Sequence, residues 1–346
     1  MEAKVSPEDA RRKAELLAGG PVLIPEGFRL PFPASLSTAG PEAGLATAVF
    51  SFGNTRAKKE ISRHGGEFQL VEDRGRLSIF RADRPFIDEV RLVPTLMHAP
   101  YQAFVNIEHD CMYDCKFCGS PRLGKDVTKN LTDDRIVQMI LDSSAREGFS
   151  AVAFTSGVPE SRTLTVERMA SLVRRVREAL PDVPIGVEPY AIRPDEIELL
   201  KAAGASEIKI NIETYDRDVF ERVCGKLDYD LILHAINHSC EVFGRNKVCS
   251  NIIFGLGESD ECVMEGVKVL ANMGAVATLR ALRVTDLNRQ GLEEAIGQLE
   301  KVSPERMLLL ARNQKLVLES YGLSPLGFKT MCHACLSCDI VPFWDV

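Results

Sequence analysis

The sequence predicts an α/β fold, a partial (βα)6 barrel over residues 101–285, and three observations carry that expectation. Short apolar runs recur near residues 102–107, 150–155, 184–188, 206–212, 247–254 and 276–283. Between them lie segments with helical apolar spacing, near 132–147, 164–179, 194–203, 216–243 (broken) and 258–273. Strands that alternate with helices read as parallel βα units, because a parallel pair needs a crossover long enough to hold a helix. The third observation is a cysteine-rich loop directly after the first run. Such barrels carry their reactive groups on loops at the carboxyl ends of the strands.

The flanks are read as appendages. Residues 1–100 form a small N-terminal α+β extension. Its helix starts at Ser6, a capping residue followed by Pro7, Glu8 and Asp9, and stops at Gly19 and Gly20. A loop rich in Pro, Gly and Ser follows, and then residues 67–72 and 77–82 flank Asp73-Arg74-Gly75 as a hairpin. No chemistry is assignable to this extension. Residues 286–346 form helical segments near 290–302 and 304–321 and end in a cysteine-bearing tail.

At 346 residues with a net charge of -7, the chain can bury a large core and lacks the basic footprint of a nucleic-acid binder. No apolar run is long enough to span a bilayer, and the first residues are charged where a signal peptide needs an apolar centre. A cytoplasmic location is the expectation. There the ten cysteines are reduced, and serve as metal or cluster ligands or as buried thiols.

The stretch Val105 to Ser120, VNIEHDCMYDCKFCGS, places Cys111, Cys115 and Cys118 in one loop. A Cys-x3-Cys-x2-Cys run lets a loop wrap a cubane 4Fe-4S cluster and ligate three of its irons. Structural zinc is the competing reading. It wants four closed ligands, and His109 is the only nearby candidate for a fourth.

Later strands add polar groups at their carboxyl ends. Thr155, Ser156 and Gly157 form a turn after the second strand, and Glu188 ends the third. Asn211 and Glu213, two residues apart, face one side of the fourth, and an amide beside a carboxylate suits a ribose diol. The fifth runs into Gly255-Leu256-Gly257-Glu258, where a ligand can approach backbone closely. Arg280 and Arg283 on the sixth have opposite parity, so one inward guanidinium is the candidate contact for a substrate carboxylate. Cys332, Cys335 and Cys338 form a terminal Cys-x2-Cys-x2-Cys. They could hold an auxiliary iron-sulfur cluster or a zinc ion, or act as a redox dithiol. Cys224, Cys240 and Cys262 read as core thiols on helices.

The first cysteine spacing, with Phe117 before its last member, resembles the radical S-adenosylmethionine superfamily. The resemblance implies a partial barrel of the radical SAM type and two cofactors, a 4Fe-4S cluster and S-adenosylmethionine. It implies oxygen-sensitive chemistry in which reductive cleavage gives a 5'-deoxyadenosyl radical. On the same basis Thr155, Ser156 and Gly157 would meet the methionine amino group, and Glu188 the cofactor or substrate. Asn211 and Glu213 would meet the ribose, and Gly255 and Gly257 the adenine. Asn211-Ile212-Glu213-Thr214 and Lys247-Val248-Cys249-Ser250 are similar to the biotin synthase and lipoyl synthase branch.

The departures from that branch are specific. Asn251 stands where a glycine is usual. Cys249 matches a ligand of the second cluster of biotin synthase, but Thr155 and Gly186 occupy partner positions, and no cysteine precedes Cys111. The expected reaction is sulfur insertion of the lipoyl synthase type on an octanoyl group held by a carrier protein. The expected partners are an electron donor such as ferredoxin or flavodoxin, a lipoyl-carrier protein and a second radical SAM subunit. The alternatives are a carbon-skeleton rearrangement or cofactor-maturation enzyme, and a noncatalytic metal-binding scaffold.

Overall fold

Two sheets organise the chain in the computed structural model, which describes residues 4–127 and 131–346. Helix α1 (Pro7–Ala18) starts as the sequence implies, with Ser6 Oγ accepting from Asp9 N and acidic residues at the positive end. The extension holds far more sheet than one hairpin. Strands β1 (Val22–Leu23), β2 (Ser35–Leu36), β3 (Ala46–Phe52), β4 (Thr55–Ser62), β5 (Phe68–Asp73), β6 (Arg76–Arg81) and β7 (Arg84–Val93) form a seven-stranded sheet. Its order is β2-β3-β4-β1-β5-β6-β7, and β7 pairs back onto β3 so that the sheet closes. Phe50, Phe68, Leu70, Ile79 and Ile87 fill its own apolar core. The expected hairpin is β5–β6, turning at Arg74 and Gly75, both at positive φ.

The second sheet is fully parallel. Its strands are β8 (Gln102–Asn106), β9 (Ala151–Thr155), β10 (Ile185–Glu188), β11 (Glu207–Lys209), β12 (Val248–Phe254) and β13 (Val276–Ala281), paired in sequence order. The crossovers carry α2 (Asp133–Ser144), α3 (Arg162–Ala179), α4 (Pro194–Ala202), α5 (Arg217–Cys224), α6 (Tyr229–Phe243) and α7 (Asp260–Met273). The break in the fourth crossover falls at Gly225, and Asp216 and Asp228 cap the two pieces. Strand β11 is shorter than its apolar run, because Glu213 takes φ 65 and rejoins β12 through a single bridge to Ile252. Strands β8 and β13 are not paired, so the barrel is open along one side.

Helices α8 (Arg289–Ile296), α9 (Pro304–Ser320) and α10 (Met331–Cys335) follow, and the tail is built into the molecule. Glu207, at the start of β11, accepts from Thr330 N and Thr330 Oγ1 at 2.9 and 2.6 Å, and Gln102, at the start of β8, bonds Met331 N at 2.6 Å. Lys58 N on β4 then donates to Ser337 O at 2.8 Å. The tail therefore runs from the amino-terminal end of the barrel to the N-terminal sheet.

Gly186 makes that path possible, since a Cβ there would lie 2.2 Å from Thr330 Oγ1. Gly186→Val is expected to push the tail off the barrel. Cys332, Cys335 and Cys338 should then react with a thiol reagent about tenfold or more faster, by mass-spectrometric alkylation kinetics. Among the described residues no helix is long and apolar enough to cross a membrane.

Candidate active site

A cavity of about 1100 Å³ lies between the carboxyl ends of the barrel strands, the cysteine loop, the tail and the N-terminal sheet. Cys111, Cys115, Phe117 and Cys118 all line it. Their loop leaves β8 and is stitched to the β9 turn by Ile107 N to Thr155 O, Gly157 N to Glu108 O and Met112 N to Val158 O, at 2.7–2.8 Å. Gly157 allows this approach, because a Cβ would stand 2.3 Å from Asp110 O. Arg122 pins the other end, donating to the carbonyls of Cys115 and Cys118 and to Asp114 Oδ1. Asn288 Nδ2 bonds Phe117 O at 2.8 Å, and Gly119 N bonds Gly40 O at 3.0 Å.

Burial pushes the Cys118 thiol up to about 11 and raises Cys111 as well, so loading a metal onto this loop must expel protons. Cys224 sits buried on α5 beside Cys115, and burial with that neighbour holds its thiol well above the usual cysteine range. His109 does not line the cavity. The loop itself presents three thiols to the cavity, a donor set that fits an iron-sulfur cluster with one iron left for another ligand. Among the described residues no three or more His, Cys, Asp or Glu side chains converge on a point where they could hold a single metal ion, as a mononuclear zinc site requires.

The polar strand ends meet across the cavity. Thr155, Ser156, Gly157, Glu188, Asn211 and Glu213 all line it. Asn211 Nδ2 donates to Glu188 Oε1 at 2.9 Å, and Asn211 Oδ1 accepts from Asn251 N at 3.0 Å. Lys209 Nζ is 3.0 Å from Glu188 Oε1. Burial opposes the Glu188 charge, but Lys209 and Asn211 outweigh it and hold that carboxyl below its ordinary value. Glu213 goes the other way. Burial and the neighbouring Glu188 push it up to about 7, so the pair combines an ionised acceptor with a carboxyl that is half protonated near neutral pH.

Gly255 and Gly257 do not reach the cavity, whose wall there is Ile253, Leu282 and Val302. Both take positive φ, 98° and 108°, and a Cβ on Gly255 would lie 2.5 Å from Val302 Cγ2. Glu258 holds the turn by accepting from Gly255 N and Leu256 N at 2.7 and 2.8 Å. Cys249 packs with Met331 and Cys335 in an apolar cluster, where burial raises its thiol well above the ordinary value.

Both arginines face the cavity, because β13 ends at Ala281 and strand parity no longer governs Arg283. Arg280 Nη2 donates to Cys332 Sγ at 2.8 Å, and its Nε bonds Asn251 Oδ1 at 3.2 Å. Lys209 Nζ reaches the same sulfur at 3.3 Å. Cys332 and Cys338 line the cavity, whereas Cys335 is buried behind them. The Cys338 neighbour lowers Cys335 to about 6 and is itself raised.

The N-terminal sheet supplies a wall that sequence reasoning missed. Arg283 Nη1 pairs with Glu42 at 2.7 Å, Lys58 Nζ lies 3.1 Å from Glu42, and Lys58 Nζ is 3.0 Å from His98 Nδ1. Burial and Lys58 push His98 down to about 3. Burial opposes the Glu42 charge, yet Lys58 and Arg283 hold it far below the carboxylate range. The segment around residue 40 ties this wall to the cysteine loop, with Gly40 N donating to Ser120 Oγ at 2.9 Å.

Comparison with known proteins places the core of this architecture. Residues 105–270 match the family described as the radical SAM superfamily. The chain is 22% identical over 183 residues to a probable GTP 3',8-cyclase of Pyrococcus abyssi, covering 52% of this chain and 56% of that one. It is 25% identical over 227 residues to a biotin synthase of Geotalea daltonii, covering 63% and 64%. Among solved structures, methylornithine synthase superposes with a TM-score of 0.50 at 18% identity, over 62% of each chain, which bears on the fold alone. The chain spans roughly half the length of the curated relatives it matches. With the parallel sheet and the cysteine loop at its carboxyl edge, these matches show that residues 105–270 form a domain of the radical S-adenosylmethionine superfamily.

Proposed function

We propose that this chain removes a hydrogen atom from an unactivated carbon inside the cavity, in the service of sulfur insertion of the lipoyl synthase type. The observation that carries the reading is that two cysteine sets meet one cavity, Cys111, Cys115 and Cys118 on one wall and Cys332 and Cys338 on another. When bound, the 4Fe-4S cluster and S-adenosylmethionine supply the 5'-deoxyadenosyl radical. Cys111, Cys115 and Cys118 would hold the cluster, and Phe117 lines the cavity with them. Thr155, Ser156 and Gly157 would receive the methionine amino end. Asn211 and Glu213 would receive the ribose, with Glu188 orienting Asn211. Gly255 and Gly257 would act on the adenine indirectly, by setting the turn that carries Ile253 into the wall.

In this reading Cys332, Cys335 and Cys338 would hold a second iron-sulfur cluster, which would supply the sulfur. Arg280 and Arg283 contact the substrate, an octanoyl group on a lipoyl-carrier protein. A ferredoxin or flavodoxin supplies the electron in the cytoplasm, and a second radical SAM subunit is the partner. A carbon-skeleton rearrangement or cofactor-maturation reaction is the second reading. It is favoured by the tail geometry, in which Cys332 is tied to Lys209 and Arg280 while Cys335 faces Cys338.

Anaerobic reconstitution of the chain and of a Cys332/Cys335/Cys338 to Ala variant separates the two, with iron and acid-labile sulfide counted. Sulfur insertion predicts about twice the iron in the parent and sulfide loss on turnover. Equal iron in both overturns it in favour of the second reading. Zinc at both sites without S-adenosylmethionine cleavage would mark a scaffold.

A further inference from the structure

The wall contributed by the N-terminal sheet sets the cations Lys58, Lys59 and Arg283 against the carboxylates Glu42, Glu60 and Glu67. Lys58 and Lys59 are only 1% and 4% exposed, and Lys58 and Arg283 both pair with Glu42. Glu60 is 34% exposed and 3.7 Å from Arg283, and Glu67 accepts from Gly20 N at 2.7 Å and lies 3.4 Å from Lys301. Among the described residues Lys59 makes no ion pair. Its Nζ donates to Gly19 O at 2.8 Å and Leu17 O at 3.4 Å, and an ammonium has a third donor to offer. A buried cation without a counterion is costly, and an anion arriving in the cavity removes that cost. The same cavity also has an apolar lining that includes Leu17, Pro21, Phe32, Pro33 and Val302. A carboxylate on an alkyl chain matches both features, whereas phosphate matches only the charge.

We propose that Lys59 and Arg283 form a carboxylate subsite, so that the substrate enters this cavity as a free aliphatic acid with its chain along the apolar wall. The inference rests on the cavity being the radical chamber and takes the second reading above, in which no carrier protein holds the substrate. A supporting feature is the state of Lys59. Burial and the nearby Arg283 bring its amine down to about 7, against the opposing pull of Glu42, Glu60 and Glu67. A bound anion raises that value, so above neutral pH binding takes up a proton.

The test is calorimetric titration of the reconstituted chain with octanoate, octanamide and inorganic phosphate at about pH 8, in two buffers of different ionisation enthalpy. Octanoate is expected to bind about tenfold or more tightly than octanamide, with net proton uptake, and phosphate to compete poorly. Lys59→Met should erase the preference for the acid and the proton uptake, and Lys59→Arg should restore the preference. Equal binding of acid and amide by the parent overturns the proposal, as does a preference that survives in Lys59→Met. Phosphate displacing octanoate as well as octanoate itself would make the site a general anion site and overturns the carboxylate assignment. Parent titrations alone decide the matter if Lys59→Met does not fold. Failure of the chamber reading shows separately, as absence of 5'-deoxyadenosine from the parent under dithionite without any acid present.

Discussion

Replacing Cys115 with alanine is expected to abolish cluster loading and to cut S-adenosylmethionine cleavage by more than about a hundredfold, with the fold intact. The loop that carries Cys115 is held by backbone and side-chain bonds that do not involve its sulfur. Lys116 N donates to Val223 O at 2.9 Å, and Arg122, Asn288 and the β9 turn hold the flanks. The thiol itself faces the cavity with Cys111 and Cys118. Two thiols cannot hold three irons, so iron should be lost while circular dichroism and the melting temperature stay within a few degrees of the parent. Cys240→Ala, at a buried thiol of α6 that does not line the cavity, should keep both iron and cleavage. Loading should also be steeply pH-dependent. Burial holds Cys111 and Cys118 above the ordinary thiol range, so their ligating thiolates become accessible as pH rises, and reconstitution at about pH 8.5 should outpace that at pH 7.

Lys13→Met is expected to destabilise the protein by about 3–5 kcal/mol, read as a shift of the urea midpoint. Lys13 is fully buried, and its Nζ bonds Asp345 Oδ2 at 2.7 Å and Leu336 O at 2.8 Å. Asp345 in turn accepts from Thr55 Oγ1 at 2.7 Å and Val341 N at 2.8 Å. Removing the ammonium leaves a buried carboxylate without its counter-charge, which costs far more than the pair contributes. The double variant Lys13→Met with Asp345→Asn should therefore recover most of the loss. Because this node joins α1, β4 and the tail, the single variant should also expose Cys332, Cys335 and Cys338 to alkylation.

Those two experiments fall on opposite sides of what could be read from the sequence. The barrel was legible, because each strand is a short apolar run and each crossover helix keeps its apolar spacing. The cysteine loop and the polar pair Asn211 and Glu213 were legible for the same reason, as local patterns at strand ends. The N-terminal sheet was not. Strand β4 reads TRAKKEIS, a charged stretch whose Lys58 and Lys59 are buried only because the cavity wall and the carbonyls of Leu17 and Gly19 receive them. The Lys13 contact with Leu336 spans 323 positions, and no local pattern announces it. Arg283 was set against Arg280 by strand parity, which ceased to apply when β13 ended at Ala281. The glycine pair after β12 is legible as a turn, whereas the wall that Ile253, Leu282 and Val302 build beside it is not.

A single turnover of the anaerobically reconstituted chain with S-adenosylmethionine and dithionite, followed by quantitation of nucleoside and amino acid, decides whether the cavity is a radical chamber. 5'-Deoxyadenosine and methionine are expected in equal amounts, and neither from the Cys115→Ala variant. An intact cluster with bound S-adenosylmethionine and no 5'-deoxyadenosine would contradict that assignment.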